Sequence, residues 1–386
     1  MSDSSQSGSG SGSISARRPA CASFGRGSGA AGPAAPPRAH LLLPGSLAAA
    51  TGGTVYDRRI VEGLRALGWT VEVRPLDPGF PFPSAAALAD ADAALSAIGD
   101  GAAAVIDGLA LGAMPELGAA HRHRLRLIAL VHHPLALETG LDAGQAERLR
   151  DSETRALACA RRVLVTSRFT AGLLPDFGVP MGRIDVIEPG TDPAPLSAGS
   201  GSDTPALLCV ATVTPRKGHL ALIEALAELG DRRWSLTCAG SLTRSPETTA
   251  RLRRRIAELG LEGRVALLGE LPTAALAALY AGADLFVLPS RLEGYGMAYA
   301  EALARGLPVL GTTAGAIPDT VPADAGLLVP PDDPAALRDA LAALLDDAGL
   351  RARLAAGARR ARAALPSWQD SAARFGAAVC RVLADG

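Results

Sequence analysis

Short apolar runs alternate with helical stretches along most of this chain, and that alternation constrains the fold more than any other feature. Strands joined in this order through helices run parallel, and the helices cover both faces of their sheet. The runs that predict strands are residues 41–43, 70–73, 103–107, 127–131 and 163–166, followed by 207–211, 235–239, 265–268, 285–288 and 309–311. The pattern therefore predicts an α/β protein with two doubly wound units.

A stretch rich in Ser and Gly at residues 197–203 separates the two groups of strands and has the composition of a flexible linker. We predict one Rossmann-like domain over residues 38–196 and a second over residues 204–386. Ligands of such sheets bind beyond the carboxyl ends of the strands, so two facing units would enclose a cleft. Residues 1–37 have few large apolar side chains, and we expect this tail to be disordered.

Composition narrows the class of partner. The 386 residues carry a formal net charge of −1, and neither half has the basic excess that nucleic acid binding requires. The five cysteines show no paired spacing, which predicts neither a disulfide framework nor a zinc site. No apolar run approaches the roughly 18 residues of a membrane span, and no secretion signal is evident. We expect a cytoplasmic protein without a transmembrane segment, for which peripheral membrane contact stays open.

Glu293 and Glu301 lie on either side of a glycine turn where a predicted strand leads into a predicted helix. Gly294 and Gly296 allow a sharp turn and a close approach of the backbone to a ligand. The helix predicted over residues 297–304 directs its positive end toward an oxygen-rich or anionic group. Both carboxylates can accept hydrogen bonds from sugar hydroxyls. The alternative is a plain loop residue and a solvated helix residue.

Arg216 and Lys217 form a cationic pair between the strand predicted at 207–211 and the next helix. Lys217 is the only lysine of the chain, whereas the remaining 37 basic residues are arginine. An ammonium group is compact and directs its donors freely, which suits a phosphate oxygen. A lysine retained here by chance is the alternative.

Two further segments follow predicted strands in the N-terminal half. Gly52 and Gly53 form a turn that can meet an anion, but they match neither a dinucleotide fingerprint nor a P-loop, and a simple tight turn is equally consistent. His132 and His133 end the strand predicted at 127–131, where side chains point into the cleft. One of them could orient a ligand or polarise a hydroxyl, and a capping or core histidine is the alternative.

The order and spacing of several motifs resemble the donor half of family 4 retaining glycosyltransferases, which have the GT-B fold. The motifs are Arg216-Lys217-Gly218, Leu268-Gly269-Glu270-Leu271, and the segment from Glu293-Gly-Tyr-Gly through Glu301-Ala-Leu-Ala-Arg-Gly-Leu-Pro-Val309. The match is strongest over residues 205–345 and extends more weakly into the first half through Gly53, His132 and residues 186–192. Ala316 and Asp319 depart from the family's usual Gly-Gly-x-Pro-Glu ending.

The resemblance implies a nucleoside-diphosphate sugar donor bound mainly by the C-terminal domain. Arg216 and Lys217 would contact the diphosphate, Glu293 would accept from the donor sugar, and Glu301 would hold the ribose. The acceptor, an unidentified sugar, lipid or small molecule, would lie against the N-terminal domain. The final helix, about residues 367–386, would pack back on that domain.

The same resemblance assigns the remaining positions of the donor site. Glu270 would face the base, Gly53 would approach the phosphates, and the backbone amides of Gly294, Tyr295 and Gly296 would line the donor. His132 matches the family's active-site histidine better than His133 does.

The activity implied is hexosyl transfer with retention of configuration, through attack on the face from which the diphosphate leaves. The candidate catalytic residues are His132, Arg216, Lys217 and Glu293. Fixed cations and a helix end can stabilise the leaving diphosphate, so no metal or other cofactor is required. A glycosidase would need carboxylates on two sides of the bond, which one shared loop and helix do not supply. A non-catalytic nucleotide-sugar-binding protein stays open, as does a Rossmann-type dehydrogenase, against which the missing fingerprint counts.

Overall fold

The computed structural model describes residues 35–49, 51–138 and 140–385. Its strands form two six-stranded sheets in which every paired strand is parallel. The predicted α/β class with two Rossmann-like domains is therefore confirmed. Of the tail predicted for residues 1–37, residues 1–34 lie outside the described residues.

The first sheet has the strand order β2-β1-β3-β4-β5-β6. Its strands are β1 (Arg38–Pro44), β2 (Thr70–Leu76), β3 (Ala103–Asp107), β4 (Arg126–Val131), β5 (Arg162–Val165) and β6 (Ile184–Val186). The helices of this half are α1 (Gly52–Ala66), α2 (Ala85–Ser96), α3 (Gly108–Leu111), α4 (Pro115–His121), α5 (Ala143–Leu157) and α6 (Arg168–Leu173). The direction in which strands are added to the sheet reverses between β1 and β3, and ligands of such sheets bind at the carboxyl ends of the strands beside this switch point.

Strand β1 shows why both faces of this sheet are covered. Leu41 and Leu43 point into one apolar cluster with Tyr56 of α1, whereas Leu42 points into the other cluster with Leu95 of α2. Successive side chains of a strand alternate between faces, so an uninterrupted apolar run requires a core on each side.

The second sheet has the strand order β12-β11-β10-β7-β8-β9. Its strands are β7 (Ala206–Val210), β8 (Ser235–Ala239), β9 (Val265–Gly269), β10 (Leu285–Val287), β11 (Val309–Thr312) and β12 (Gly326–Val329). The helices are α7 (His219–Ala227), α8 (Pro246–Glu258), α9 (Thr273–Ala281), α10 (Met297–Ala304), α11 (Ile317–Thr320), α12 (Pro334–Asp346), α13 (Ala348–Ala361) and α14 (Trp368–Ala384). Helix α10 has the bounds predicted from the glycine turn.

Helix α14 leaves the second domain and packs against α1 of the first. Phe375 and Val379 enter the apolar cluster that contains Tyr56, and the ring of Trp368 lies 6.1 Å from that of Tyr56. The two domains are thus joined by a returning helix in addition to the chain that connects them.

The Ser/Gly segment at residues 197–203 is held against the second domain. The Ser197 hydroxyl donates to the carbonyl oxygens of Ala281 and Ala283, and the Ser200 amide donates to the Asp284 carboxylate at 3.0 Å. Its composition resembles a free linker, but these hydrogen bonds fix its path.

Three cysteines, Cys159, Cys209 and Cys238, are buried free thiols. Cys380 is disulfide-bonded, which the irregular cysteine spacing did not predict. Among the described residues, no helix combines the length and apolar character needed to cross a bilayer.

Candidate active site

Loops from the carboxyl edges of both sheets meet at one place. His132 follows β4 of the first sheet, Lys217 lies in the loop after β7, and Glu293 and Gly294 lie in the loop after β10. A side chain at Gly294 would overlap the carbonyl oxygen of His132. Only a glycine allows the two domains to approach this closely.

Glu293 is the centre of the polar cluster on the second domain. Its Oε1 accepts hydrogen bonds from Lys217 Nζ and from the Ser290 hydroxyl, each at 2.6 Å. Its Oε2 lies 3.6 Å from Arg216 Nη1, and Arg216 also donates to the Leu292 carbonyl oxygen at 2.7 Å. The structure therefore brings three of the predicted site residues into direct contact.

The charge of Glu293 follows from these contacts. Burial alone would raise the pKa of this carboxyl, but Lys217 and Arg216 outweigh it and lower the pKa below its usual value. Glu293 is therefore ionised at neutral pH. Lys217 carries three N–H donors, and Glu293 orients the ammonium group without using all of them.

Gly296 begins α10 with a φ of 92°, in the left-handed region that favours glycine. The first amides of a helix have no partner within it, so the start of α10 presents N–H groups to the cleft. Tyr295 is partly buried beside this turn, and its carbonyl oxygen accepts from the Thr320 hydroxyl at 2.7 Å. The predicted glycine turn is present, with its amides near Glu293.

Glu301 lies in α10 and has different partners from Glu293. Its Oε2 accepts from the Tyr280 hydroxyl at 3.0 Å, and Arg305 lies over the Tyr280 ring at 4.2 Å. Burial raises the pKa of Glu301, and Tyr280 and Arg305 only partly oppose this effect. Glu293 is thus held by cations, whereas Glu301 is held mainly by the phenol of Tyr280.

His132 is enclosed by two carboxylates of the first domain. Its Nε2 lies 3.3 Å from Asp57 Oδ1 and 3.5 Å from Asp107 Oδ2, and its ring meets that of Tyr56 edge-on at 5.5 Å. Burial lowers the pKa of His132, but the two nearby carboxylates outweigh it and raise the pKa to about 10. Burial also raises the pKa of Asp57, although His132 opposes it. His132 is therefore an imidazolium at neutral pH.

His133 has other partners than His132 and is linked to the second domain through Glu138. Its Nε2 lies 3.0 Å from Glu138 Oε2, and Glu138 Oε1 lies 3.4 Å from Arg216 Nε. Glu138 thus links a loop of the first domain to the cationic pair of the second. The two histidines have distinct surroundings, and His132 is the one that packs against Gly53.

Gly52 and Gly53 form the first turn of α1 and not a separate tight turn, since α1 begins at Gly52 with Thr51 as its cap. A Cβ at Gly53 would lie 3.3 Å from His132 Cδ2. Glu270 lies apart from these groups: it is exposed just beyond β9, the edge strand of the second sheet.

Sequence reasoning missed Asp57, Asp107, Glu138 and Tyr280. Asp107 had a usable signal, because it is the last residue of an apolar strand, just as His132 directly follows one. Asp57 had none, since a polar residue within a helix reads as solvated. Asp319, one of the departures from the family pattern, accepts from the Phe169 amide of the first domain at 3.2 Å.

Comparisons with known proteins bear on the family and the fold of this chain. The sequence model described as "Glycosyltransferase Family 4" matches residues 50–195, and the one described as "Glycosyl transferases group 1" matches residues 196–361. The D-inositol 3-phosphate glycosyltransferase of Xylanimonas cellulosilytica is 33% identical over 239 residues, which are 57% of each chain. The MMP alpha-(1->4)-mannosyltransferase of Mycolicibacterium hassiacum is 29% identical over 277 residues, 67% of each. The chain therefore spans less than two thirds of the inositol-phosphate relative.

Among solved structures, sucrose-phosphate synthase from Thermosynechococcus elongatus superimposes with a TM-score of 0.76 at 24% identity, covering 90% of this chain and 100% of the other. At this identity the likeness establishes the two-domain fold alone. Together, the adjoining sequence matches over residues 50–361 and this shared fold place the chain in the family 4 glycosyltransferases of GT-B fold.

Proposed function

We propose that this protein is a retaining hexosyltransferase that moves a sugar from a nucleoside-diphosphate sugar to an acceptor hydroxyl, without a metal ion in the chemical step. The observation that carries the proposal is the direct contact of Lys217 with Glu293 beside Arg216 and the start of α10. A nucleotide sugar presents a charged diphosphate next to a ring of hydroxyls. This cluster offers cations next to an ionised carboxylate.

The cations stabilise the diphosphate leaving group. Negative charge develops on the diphosphate as the sugar departs, and groups that are already in place stabilise it without reorganisation. Arg216, Lys217 and the amides at the start of α10 supply that stabilisation. A metal ion would duplicate this role.

Glu293 can accept a further hydrogen bond, from the donor sugar. Its Oε1 already accepts two hydrogen bonds, whereas Arg216 lies 3.6 Å from Oε2, beyond ordinary hydrogen-bond distance. Oε2 can therefore accept from a hydroxyl of the donor sugar. Glu301, which accepts a hydrogen bond from Tyr280 further along α10, would hold the ribose.

His132 acts as a fixed donor in this scheme and not as a general base. An imidazolium with a pKa of about 10 has no free lone pair with which to accept a proton near neutral pH. The acceptor's proton then passes to the departing phosphate oxygen. Attack and departure on one face of the sugar give retention.

Turnover assays test the proposal. The chain is incubated with UDP- and GDP-hexoses and a panel of polyol, sugar-phosphate and lipid acceptors, and release of free nucleoside diphosphate is measured. We expect release with one donor and acceptor pair, an α-linked product from an α-linked donor by NMR, and no rate change on adding Mg²⁺ or Mn²⁺.

Two variants connect that activity to the site. Lys217→Ala and Glu293→Gln should lose it, whereas Arg233→Ala, which removes an exposed cation of the same domain, should keep it. Full activity in both site variants would overturn the assignment. Donor binding without turnover would favour a non-catalytic binding protein, and stabilisation by nicotinamide dinucleotides alone would favour a dehydrogenase.

A further inference from the structure

Three side chains with metal-binding atoms meet in the core of the second domain, outside the donor site. Cys209 lies in β7, Cys238 lies in β8, and His219 begins α7. Cys209 and Cys238 are register partners on neighbouring parallel strands, so they occupy the same level of the sheet. All three residues are at most 3% exposed.

Their geometry is close to that of a tetrahedral site. Cys209 Sγ lies 3.7 Å from His219 Nε2, and the three ligand atoms are all within 4.8 Å of one another. Zinc bonds of about 2.3 Å to sulfur and 2.0 Å to nitrogen separate adjacent ligand atoms by about 3.5 Å. A shift of about 1 Å or less would therefore complete the coordination.

The orientation of His219 supports the same site. Its Nε2, the nitrogen that would bind the ion, faces the sulfur of Cys209, whereas its buried Nδ1 has no hydrogen-bond partner within the described part of the chain. Metal-bound histidines pair the second nitrogen with a carbonyl, carboxylate or water, so the support comes from the direction of Nε2 and not from the state of Nδ1.

We propose that Cys209, His219 and Cys238 bind one thiophilic divalent metal ion of the zinc type. Two thiolates and a neutral imidazole balance a divalent ion to zero net charge, and a neutral cluster is far less costly to bury than an uncompensated ion. Three protein ligands leave one position for a water. The ion ties β7 and β8 to the first residue of α7.

Both cysteines bind a metal ion as thiolates, so each must lose its proton on binding. Metal binding should therefore release protons and strengthen as pH rises.

Cobalt substitution is the decisive experiment, because it uses the whole 386-residue chain without substitutions and does not depend on a variant that folds. The reduced, chelator-treated protein is titrated with Co²⁺ and then with Zn²⁺. We expect one equivalent of Co²⁺ with thiolate-to-metal charge-transfer bands and tetrahedral d–d absorption, both abolished by one equivalent of Zn²⁺. A spectrum without thiolate bands would overturn the proposal.

Variants assign the site. Cys209→Ser and Cys238→Ser should each lose the bound equivalent and the Zn²⁺-dependent rise in melting temperature. Cys159→Ser is the matched control, because it removes the one other buried free thiol among the described residues and should keep both. Metal binding that is lost in Cys159→Ser and kept in Cys209→Ser would overturn the proposal. None of these measurements requires the glycosyltransferase assay.

Discussion

The ammonium group of Lys217 donates to Glu293 Oε1 at 2.6 Å although 76 residues separate the two in sequence. Lys217 follows β7 and Glu293 follows β10, and these strands are neighbours in the second sheet. Parallel pairing brings the ends of adjacent strands together at one edge, which is why distant loops share a charge pair. The pair keeps Glu293 ionised and fixes the direction of the ammonium group.

Lys217 should not be replaceable by the arginine that fills every other basic position. Lys217→Arg keeps the charge, but a planar guanidinium does not reproduce the compact ammonium group beside Glu293 Oε1, so we expect kcat/KM to fall about tenfold or more. Lys217→Met removes the cation, and we expect a fall of about 10²–10³-fold. Steady-state kinetics with the identified donor measure both.

The free energy of unfolding of the two Lys217 variants is measured alongside their kinetics. Lys217→Met leaves Glu293 buried with a weaker cationic environment and should lower the free energy of unfolding by up to about 3 kcal/mol, whereas Lys217→Arg should lower it less. Urea denaturation compares the two. Wild-type kinetics in Lys217→Arg would show that only the charge matters.

The pKa of His132 gives a pH prediction. With a pKa of about 10, His132 should remain charged through neutral pH, and activity should show no inflection near its unfolded value of 6.5. Because the folded pKa exceeds the unfolded one, its contribution to stability is full below about pH 6.5 and is lost as pH rises toward 10.

Asp57→Asn tests whether the neighbouring carboxylate raises the pKa of His132. Removing this carboxylate takes away the largest attraction that raises the pKa of His132, so a new inflection should enter the neutral range, with activity lost as pH increases. NMR titration of the imidazole checks the assignment. Asp100→Asn, an exposed carboxylate of the same domain, should leave the profile unchanged; an unchanged profile in Asp57→Asn as well would refute this explanation.

The sequence predicted both sheets because buried parallel strands are continuous apolar runs, as in residues 127–131 and 285–288, and such runs are visible without tertiary context. It also predicted that Glu293 and Lys217 follow strands of the second sheet, and the structure brings the two side chains into contact, whereas their roles in donor binding stay predictions. Asp57 could not be predicted, because its role depends on which face of α1 meets β4. The ordering of Ser197 likewise depends on carbonyl groups from distant elements, which composition does not encode.

Glu301 should hold the donor through an ionised carboxylate whose pKa burial has raised. We therefore expect the donor KM to rise on acidification at a higher pH than an ordinary glutamate would give. Tyr280→Phe removes a hydrogen bond that lowers this pKa, so the rise should begin at a still higher pH. Glu301→Gln should raise KM about tenfold at neutral pH, as expected for loss of a charged hydrogen bond. KM measured from pH 5 to 8 checks all three, with the exposed Glu258→Gln as control.

Under the proposed function Glu138 should compete with the donor for Arg216, because its carboxylate lies 3.4 Å from the guanidinium across the cleft. Glu138→Gln removes that negative charge from beside the diphosphate position, and we expect the donor KM to fall about three- to fivefold, in line with a partly exposed ion pair. The difference should shrink at high salt. Glu116→Gln breaks the exposed pair with Arg155 and should leave KM unchanged. A rise in KM for Glu138→Gln would mean that the bridge favours donor binding by holding the domains together.

Gly294 should be intolerant of even one added methyl group. A Cβ added at this position would overlap the carbonyl oxygen of His132 in the other domain. Gly294→Ala must therefore push apart the loop that carries Gly294 and the loop that carries His132. Displacement of reacting groups by about 1 Å can cost about 100-fold in rate, and we expect kcat to fall by that order while the melting temperature changes little. Gly182→Ala is the matched control, because an added Cβ there has open space. Equal kcat in the two variants would show that the contact between Gly294 and His132 is dispensable for catalysis.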